Sequence, residues 1–241
     1  MNIISSFLNP LLPNRCLICR STIKKDIGDR VCLDCWKKVR FSDGPLCPVC
    51  GKPFLSVSTL LKSPDYRCGI CRKSRPHFTR HIYLGPYEGV LSDVIRLFKF
   101  KKKAALAYPL SYLLCRKIKD IPKIDIIIPV PLHPRRLRFR EFNQSLLLSK
   151  LISNHLNRPV LKDVIVKNKD TPPQIGLDGD KRRINMRNVF SVKEGHLVNK
   201  KRVLLIDDVF TTGSTVNECA KILKKSGAYS IYVLTLVMAN N

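Results

Sequence analysis

Four C-x-x-C pairs crowd into the first third of the chain: Cys16/Cys19, Cys32/Cys35, Cys47/Cys50 and Cys68/Cys71. Such a turn points two sulfurs at one ion while its backbone amides offset the thiolate charge, and two turns complete a tetrahedron. The simplest assignment closes Cys16, Cys19, Cys32 and Cys35 around one Zn²⁺ and Cys47, Cys50, Cys68 and Cys71 around another, although spacing alone also permits interleaved pairs. The segment has too few apolar residues for a core of its own, so metal binding supplies its folding energy, with Trp36 and Phe54 helping to bury the sites. A redox dithiol is the rival, but four repeats fit structural metal better than a single pair in a βαβ unit. Cys115 and Cys219 stand outside the pattern on helical stretches and read as small buried hydrophobes. The opening segment has no basic leader and no stretch reaches the roughly 18 apolar residues of a membrane span, which predicts a soluble cytoplasmic protein with reduced thiols and no disulfide framework.

At about His81 the chain changes character, which divides it into a module over 1–75 and a larger domain over 80–241. IYLGPYEGVLSDVIRLFKF reads as a strand, a turn and an amphipathic helix presenting Val90, Val94, Ile95, Leu97 and Phe98. ALAYPLSYLLCRKIK continues as a helix bent near Pro109, and NQSLLLSKLISNHLN and STVNECAKILKKSG are further helices. IDIIIPVP, VLKDVIV, VFSV, VLLI and YSIYVLTLVMA read as strands, several of them continuous apolar runs that suit burial on both faces. Strands alternating with helices predict an α/β fold with a largely parallel sheet.

In such sheets ligands bind beyond the C-terminal ends of the strands. The stretch VLLIDDVFTTGST places Asp207 and Asp208 at the end of a buried strand and then wraps a hydroxyl-rich loop into a helix N-terminus. Free amides, the helix dipole and the hydroxyls of Thr211, Thr212, Ser214 and Thr215 make a monophosphate cradle, and Gly213 lets a phosphate approach the backbone. The carboxylates reach whatever that phosphate carries, sugar hydroxyls or a bound Mg²⁺. The Lys-Ser/Thr signature of a Walker A loop is missing.

This stretch resembles the 5-phosphoribosyl-1-pyrophosphate (PRPP) motif of type I phosphoribosyltransferases. The resemblance implies that Thr211 to Thr215 hold the ribose 5-phosphate and that Asp207 and Asp208 hold the ribose, with Mg²⁺ entering alongside PRPP. A cysteine-rich zinc module, then IRLFKF, IIPVPLHPRRLRFREFNQ, TPPQIGLDGDKRRINMRNVF and the PRPP motif, in that order, resembles the ComF/GntX family of competence-associated proteins over nearly the whole chain. The resemblance implies a type I phosphoribosyltransferase-like parallel sheet with an N-terminal double zinc ribbon. It places Pro131, Leu132, His133, Arg135 and Arg136 around the pyrophosphate, and Gln174, Arg183 and Asn185 on a hood loop over the reacting centre. Charge stabilisation of the leaving group would come from Arg135, Arg136 or residues 181–183. One departure is visible: the family usually has glycine before Phe-Asn-Gln, where this chain has Glu141.

Forty-four Lys and Arg against 18 Asp and Glu give a formal charge of +26, and about +22 once two Cys₄ zinc sites each contribute −2. The excess is dense only at Arg96, Lys99 and Lys101 to Lys103, and at Arg135, Arg136, Arg138 and Arg140. Such a field favours polyanions, and the family resemblance points to single-stranded DNA and other competence proteins as partners. Two other readings stand beside DNA handling in competence: a nucleobase-salvage phosphoribosyltransferase, and a zinc-supported scaffold that senses PRPP without turnover. The residues identify neither a general base nor a base-recognition signature.

Overall fold

The structure, a computed structural model, describes residues 14–23, 30–54, 56, 63, 65–101, 103–169 and 189–239. Its centre is a parallel sheet in the order β1 (Arg80–Pro86), β7 (Ser230–Met238), β5 (Arg202–Ile206), β2 (Ile126–Pro129), with the short β6 (Val209–Phe210) also pairing with β7. β7 is buried over eight of its nine residues because it lies between two neighbours and beneath helices on both faces. Its apolar run obeys that demand. Each fully buried Leu or Ile of this sheet contributes about 1.5–3 kcal/mol relative to exposure.

Helices cover both faces. α3 (Gly89–Phe100) buries Leu91, Val94, Ile95 and Phe98, an i, i+3, i+4, i+7 stripe, while Val90 and Leu97 are only partly covered. α4 (Ala107–Lys117) and α6 (Gln144–Leu156) share that core, and α7 (Ser214–Lys225) packs on the opposite face through Val216, Cys219, Ala220 and Leu223. Cys115 and Cys219 are buried on α4 and α7. Pro109, where a bend was expected, lies in the first turn of α4, where its missing N–H costs no helical bond. VLKDVIV is not one strand. Val160 bridges to Ile127 in the main sheet, and the chain then leaves to form β3 (Ile165–Lys167), antiparallel to β4 (Phe190–Val192).

The cysteine-rich segment adds α1 (Leu33–Lys37) and α2 (Gly69–Lys73), each beginning just after a cysteine. It lies along β1, an outer strand of the sheet. The N–H of Ser42 donates to the carbonyl of Leu84 at 2.6 Å, and the N–H of His81 donates to that of Val49 at 2.8 Å. The approach is so close at Gly85 that a Cβ there would lie 2.1 Å from the carbonyl oxygen of Arg40. Among the described residues no helix is long and apolar enough to cross a membrane.

Candidate functional site

β5 ends at Ile206, and the ladder carries on just far enough to fix the two acids that follow. Asp207 N–H donates to Leu234 at 3.0 Å, and the carbonyl of Asp208 accepts from Leu236 at 3.1 Å. On the other side, Val130 N–H donates to Ile206 at 2.8 Å, bringing the segment after β2 alongside. Asn143 then caps α6: its Oδ1 accepts from the N–H groups of Ser145 at 2.9 Å and Leu146 at 3.3 Å, and its Nδ2 donates to Val130 at 3.1 Å. This cap points Ser145 at the acids, and its Oγ donates to Asp207 Oδ1 at 3.1 Å.

Between these elements lies a cavity of about 900 Å³ lined by Pro131, Leu132, Arg135, Arg136, Asp207, Asp208, Thr211 and Thr215 together with other residues. Those eight are predicted site residues drawn from two segments 70 or more residues apart. Thr212 and Ser214 sit at the mouth of α7 with their hydroxyls 2.8 Å apart, and Ser214 N–H donates to Thr212 Oγ1 at 3.4 Å. Gly213 is the N-cap of α7 at φ +73°. A Cβ there would come within 2.4 Å of the Phe210 ring, so glycine is required by its conformation and by that ring as well as by any approaching phosphate. His133 has a different position from the one expected. Its ring caps α5 (Pro134–Arg140), Nδ1 accepting from Arg135 N–H at 3.4 Å, and it is not among the cavity-lining residues. Gln174, Arg183 and Asn185 lie outside the described residues.

Three further residues shape the electrostatics. Lys99, from the end of α3, places Nζ 2.9 Å from Asp208 Oδ2, and Arg140 Nη1 stands 3.7 Å from the same oxygen. Arg140 also donates to Gln144 Oε1 at 3.3 Å. Gln144 is 1% exposed, and its Nε2 finds no acceptor among the described residues although the residue lines the cavity. A buried amide donor left unmatched costs about 1–3 kcal/mol, which a ligand oxygen would recover. No cation among the described residues pairs directly with Asp207: burial, reinforced by the neighbouring Asp208 charge, pushes its carboxyl up to about 7 against the pull of Asp208 N–H, Lys99 and Ser145. Sequence reading had placed Lys99 and Arg140 only in basic clusters, and Gln144 and Ser145 gave no signal beyond the Phe-Asn-Gln run. Glu141, the departure from the family pattern, is exposed at φ +66°, a left-handed position that favours glycine, and is absent from the cavity wall.

The cysteines resolve into two tetrads, Cys16/Cys19/Cys32/Cys35 and Cys47/Cys50/Cys68/Cys71, each with its four sulfurs within 4.8 Å of one another. A tetrahedral zinc with Zn–S near 2.3 Å requires S···S of roughly 3.8 Å. Three of the sulfur pairs stand at 3.8 Å (Cys16–Cys35), 3.6 Å (Cys19–Cys32) and 3.5 Å (Cys50–Cys68). Backbone N–H groups of Ile18 and Cys32 point at Cys16 Sγ, and that of Cys68 at Cys47 Sγ, at 3.3–3.4 Å. These donors stabilise thiolates, so both tetrads fit zinc. Consecutive pairing, not interleaving, is the arrangement found.

A zinc-ribbon module laid along a parallel α/β sheet, with an acid pair and a hydroxyl loop at its C-terminal edge, defines a phosphoribosyltransferase-type protein carrying a double zinc ribbon. Residues 7–73 match the double zinc ribbon domain and residues 143–241 the phosphoribosyl transferase domain. Over 93% of its length the chain is 34% identical to Competence protein F of Haemophilus influenzae, covering 97% of that protein. It is 32% identical to DNA utilization protein YhgH of Escherichia coli K12 over 93% of this chain and 97% of the relative. Competence protein ComFC of Bacillus subtilis is 26% identical over 92% and 94% of the two chains. The chain belongs to the ComF/GntX family.

Proposed function

We propose that this protein binds PRPP with Mg²⁺ in the cavity at the end of β5 and β2, and acts in the cytoplasm on single-stranded DNA during its uptake or use. The observation that carries the first half is the union, in one cavity, of Asp207 and Asp208 with Thr211 and Thr215, the two ends of the loop that leads into α7. The amides and hydroxyls of that loop suit a 5-phosphate, and the carboxylates suit ribose hydroxyls. Lys99 and Arg140 already neutralise Asp208, which fits a pair that receives hydroxyls while Mg²⁺ is held mainly by pyrophosphate oxygens. Arg135 and Arg136 bring positive charge to the side where pyrophosphate would lie, and Gln144 Nε2 offers a donor that no described residue takes up. DNA handling is supported by the names of relatives spanning the whole chain and by the formal charge of +26.

Calorimetric titration of PRPP with Mg²⁺ into the wild type and into Asp207→Asn/Asp208→Asn tests the ligand. Binding to wild type that disappears in the variant is expected; an inert wild type would refute it. Salt-dependent binding of an oligonucleotide tests the second half, and lack of binding at low salt would remove DNA from the proposal. Pyrophosphate release on adding a free base would instead favour salvage, and PRPP binding without turnover favours sensing.

A further inference from the structure

A column of rings runs from the second cysteine tetrad to the loop at residues 211–215. His81 is 2% exposed, stacked on Phe210 at 4.0 Å and 15° and on Tyr83 at 5.3 Å and 17°. Its Nδ1 lies 2.9 Å from the carbonyl oxygen of Cys50, and its Nε2 lies 2.8 Å from Thr235 Oγ1. A carbonyl only accepts, so the ring proton sits on Nδ1 and Nε2 receives the Thr235 hydroxyl, which it shares with the carbonyl of Val237 at 3.2 Å. Tyr83 Oη donates to Gly51 at 3.0 Å, giving the knuckle a second tie to the column. At the other end the Phe210 ring fills the space a Gly213 side chain would need, and Phe78 meets it edge-on at 6.2 Å. The knuckle between Cys47 and Gly51 and the N-cap of α7 are therefore braced on opposite sides of one buried imidazole. The described residues of the other tetrad make no contact with this column among the hydrogen bonds and ring pairs found.

We propose that His81 is a positioning residue that couples zinc at Cys47/Cys50/Cys68/Cys71 to a phosphate ester on the 211–215 loop, so that each tightens the other. This rests on the reading of that loop as the 5-phosphate cradle. Coupling between sites is reciprocal, so it can be read from the metal without any turnover. The test uses the full-length zinc-loaded protein and ribose 5-phosphate as probe. Calorimetry measures the binding of the probe, chelator competition measures zinc affinity, and alkylation of released thiols mapped by mass spectrometry assigns each zinc to its tetrad. Saturating ribose 5-phosphate is expected to tighten zinc at the second tetrad about tenfold, within the usual range for coupled sites, and to leave the first unchanged. His81→Phe keeps a ring in the column but loses both hydrogen bonds; it should weaken ribose 5-phosphate by a similar factor and abolish the protection of zinc. Thr235→Val, which removes only the hydroxyl at Nε2, should do the same to a smaller degree and serves if the first variant does not fold.

Ribose 5-phosphate that binds the wild type while neither tetrad responds, or while both respond alike, overturns the coupling and leaves the phosphate loop intact. A wild type that does not bind ribose 5-phosphate at all overturns the loop reading, and the coupling with it.

Discussion

Asp207→Asn isolates a charge that the free protein holds at a cost. Asp207 Oδ1 accepts from Ser145 Oγ and from Asp208 N–H, and an amide oxygen in the same place keeps both bonds. The substitution thus removes charge with little change in shape. Burial first, and Asp208 second, raise this carboxyl from 3.8 to about 7. A raised acid pKa means the folded form clings to its proton while the unfolded form gives it up near 4. The resulting destabilisation is absent below about pH 4, grows as pH rises and is complete above 7. At its full extent the difference amounts to about 4 kcal/mol, an upper figure because water reaching the cavity would screen it. The part that falls between pH 6 and pH 8 depends only on the folded value near 7 and comes to about 1–2 kcal/mol. Asp207→Asn is expected to melt above the wild type, with a gap that widens by roughly 3–6 °C from pH 6 to pH 8 for a chain of this size. The same variant should lose PRPP. Thermal melts of the zinc-loaded proteins at both pH values provide the measurement, and a gap that does not change between pH 6 and pH 8 would refute the placement of this carboxyl's titration.

Three other outcomes follow from the site and its supports. Glu141→Gly should raise stability by about 1 kcal/mol, because a non-glycine residue at φ +66° is strained by more than glycine loses in unfolded freedom; denaturant melts read it, with PRPP affinity unchanged. Asn143→Ala should cost about 2 kcal/mol, from the lost cap of α6 and the stranded Val130 carbonyl, and should weaken PRPP as well because Ser145 loses its anchor beneath Asp207. Arg135→Ala/Arg136→Ala should lower the slope of log affinity against log salt for single-stranded DNA by about 1.4, at roughly 0.7 per phosphate contact, and an unchanged slope would place the DNA elsewhere.

The core of the fold was legible because its strands are buried on both faces and must be largely apolar: Ile126–Pro129 and Ser230–Met238 lie within the runs expected, and Arg202–Ile206 extends VLLI by one residue. α5 escaped because it obeys no such demand. It has no buried residue, four of its seven positions are arginine, and its helix rests on the His133 cap and on Pro134 at its start. The interruption of VLKDVIV escaped for another reason. Its two ends pair with different sheets, and pairing partners are a tertiary matter that local alternation does not encode. In the site, Asp207 and Asp208 announced themselves by following a buried run directly, as did the loop behind them. Lys99 and Arg140 did not, since what makes them part of the site is an approach to Asp208 from helices 109 and 68 residues away in sequence.

The zinc module and the sheet are better understood as one object than as a domain with an appendage. β1 is an outer strand, and an outer strand leaves a row of backbone groups open to pairing with another chain. Here those groups meet the module: Ser42 donates to Leu84, His81 donates to Val49, and the Ser42 hydroxyl donates to Tyr83. The same contact buries His81, a polar ring whose two nitrogens meet the Cys50 carbonyl and the Thr235 hydroxyl. Metal at the second tetrad would therefore do more than hold together a segment poor in apolar residues. By fixing the knuckle at Cys47–Gly51 it presents the carbonyls that let β1 carry an imidazole in its interior, and that imidazole supports the ring on which the glycine of the 211–215 loop closes. The second cysteine tetrad and the 211–215 loop, so far apart in sequence, are joined through the rings of His81 and Phe210 and one strand edge.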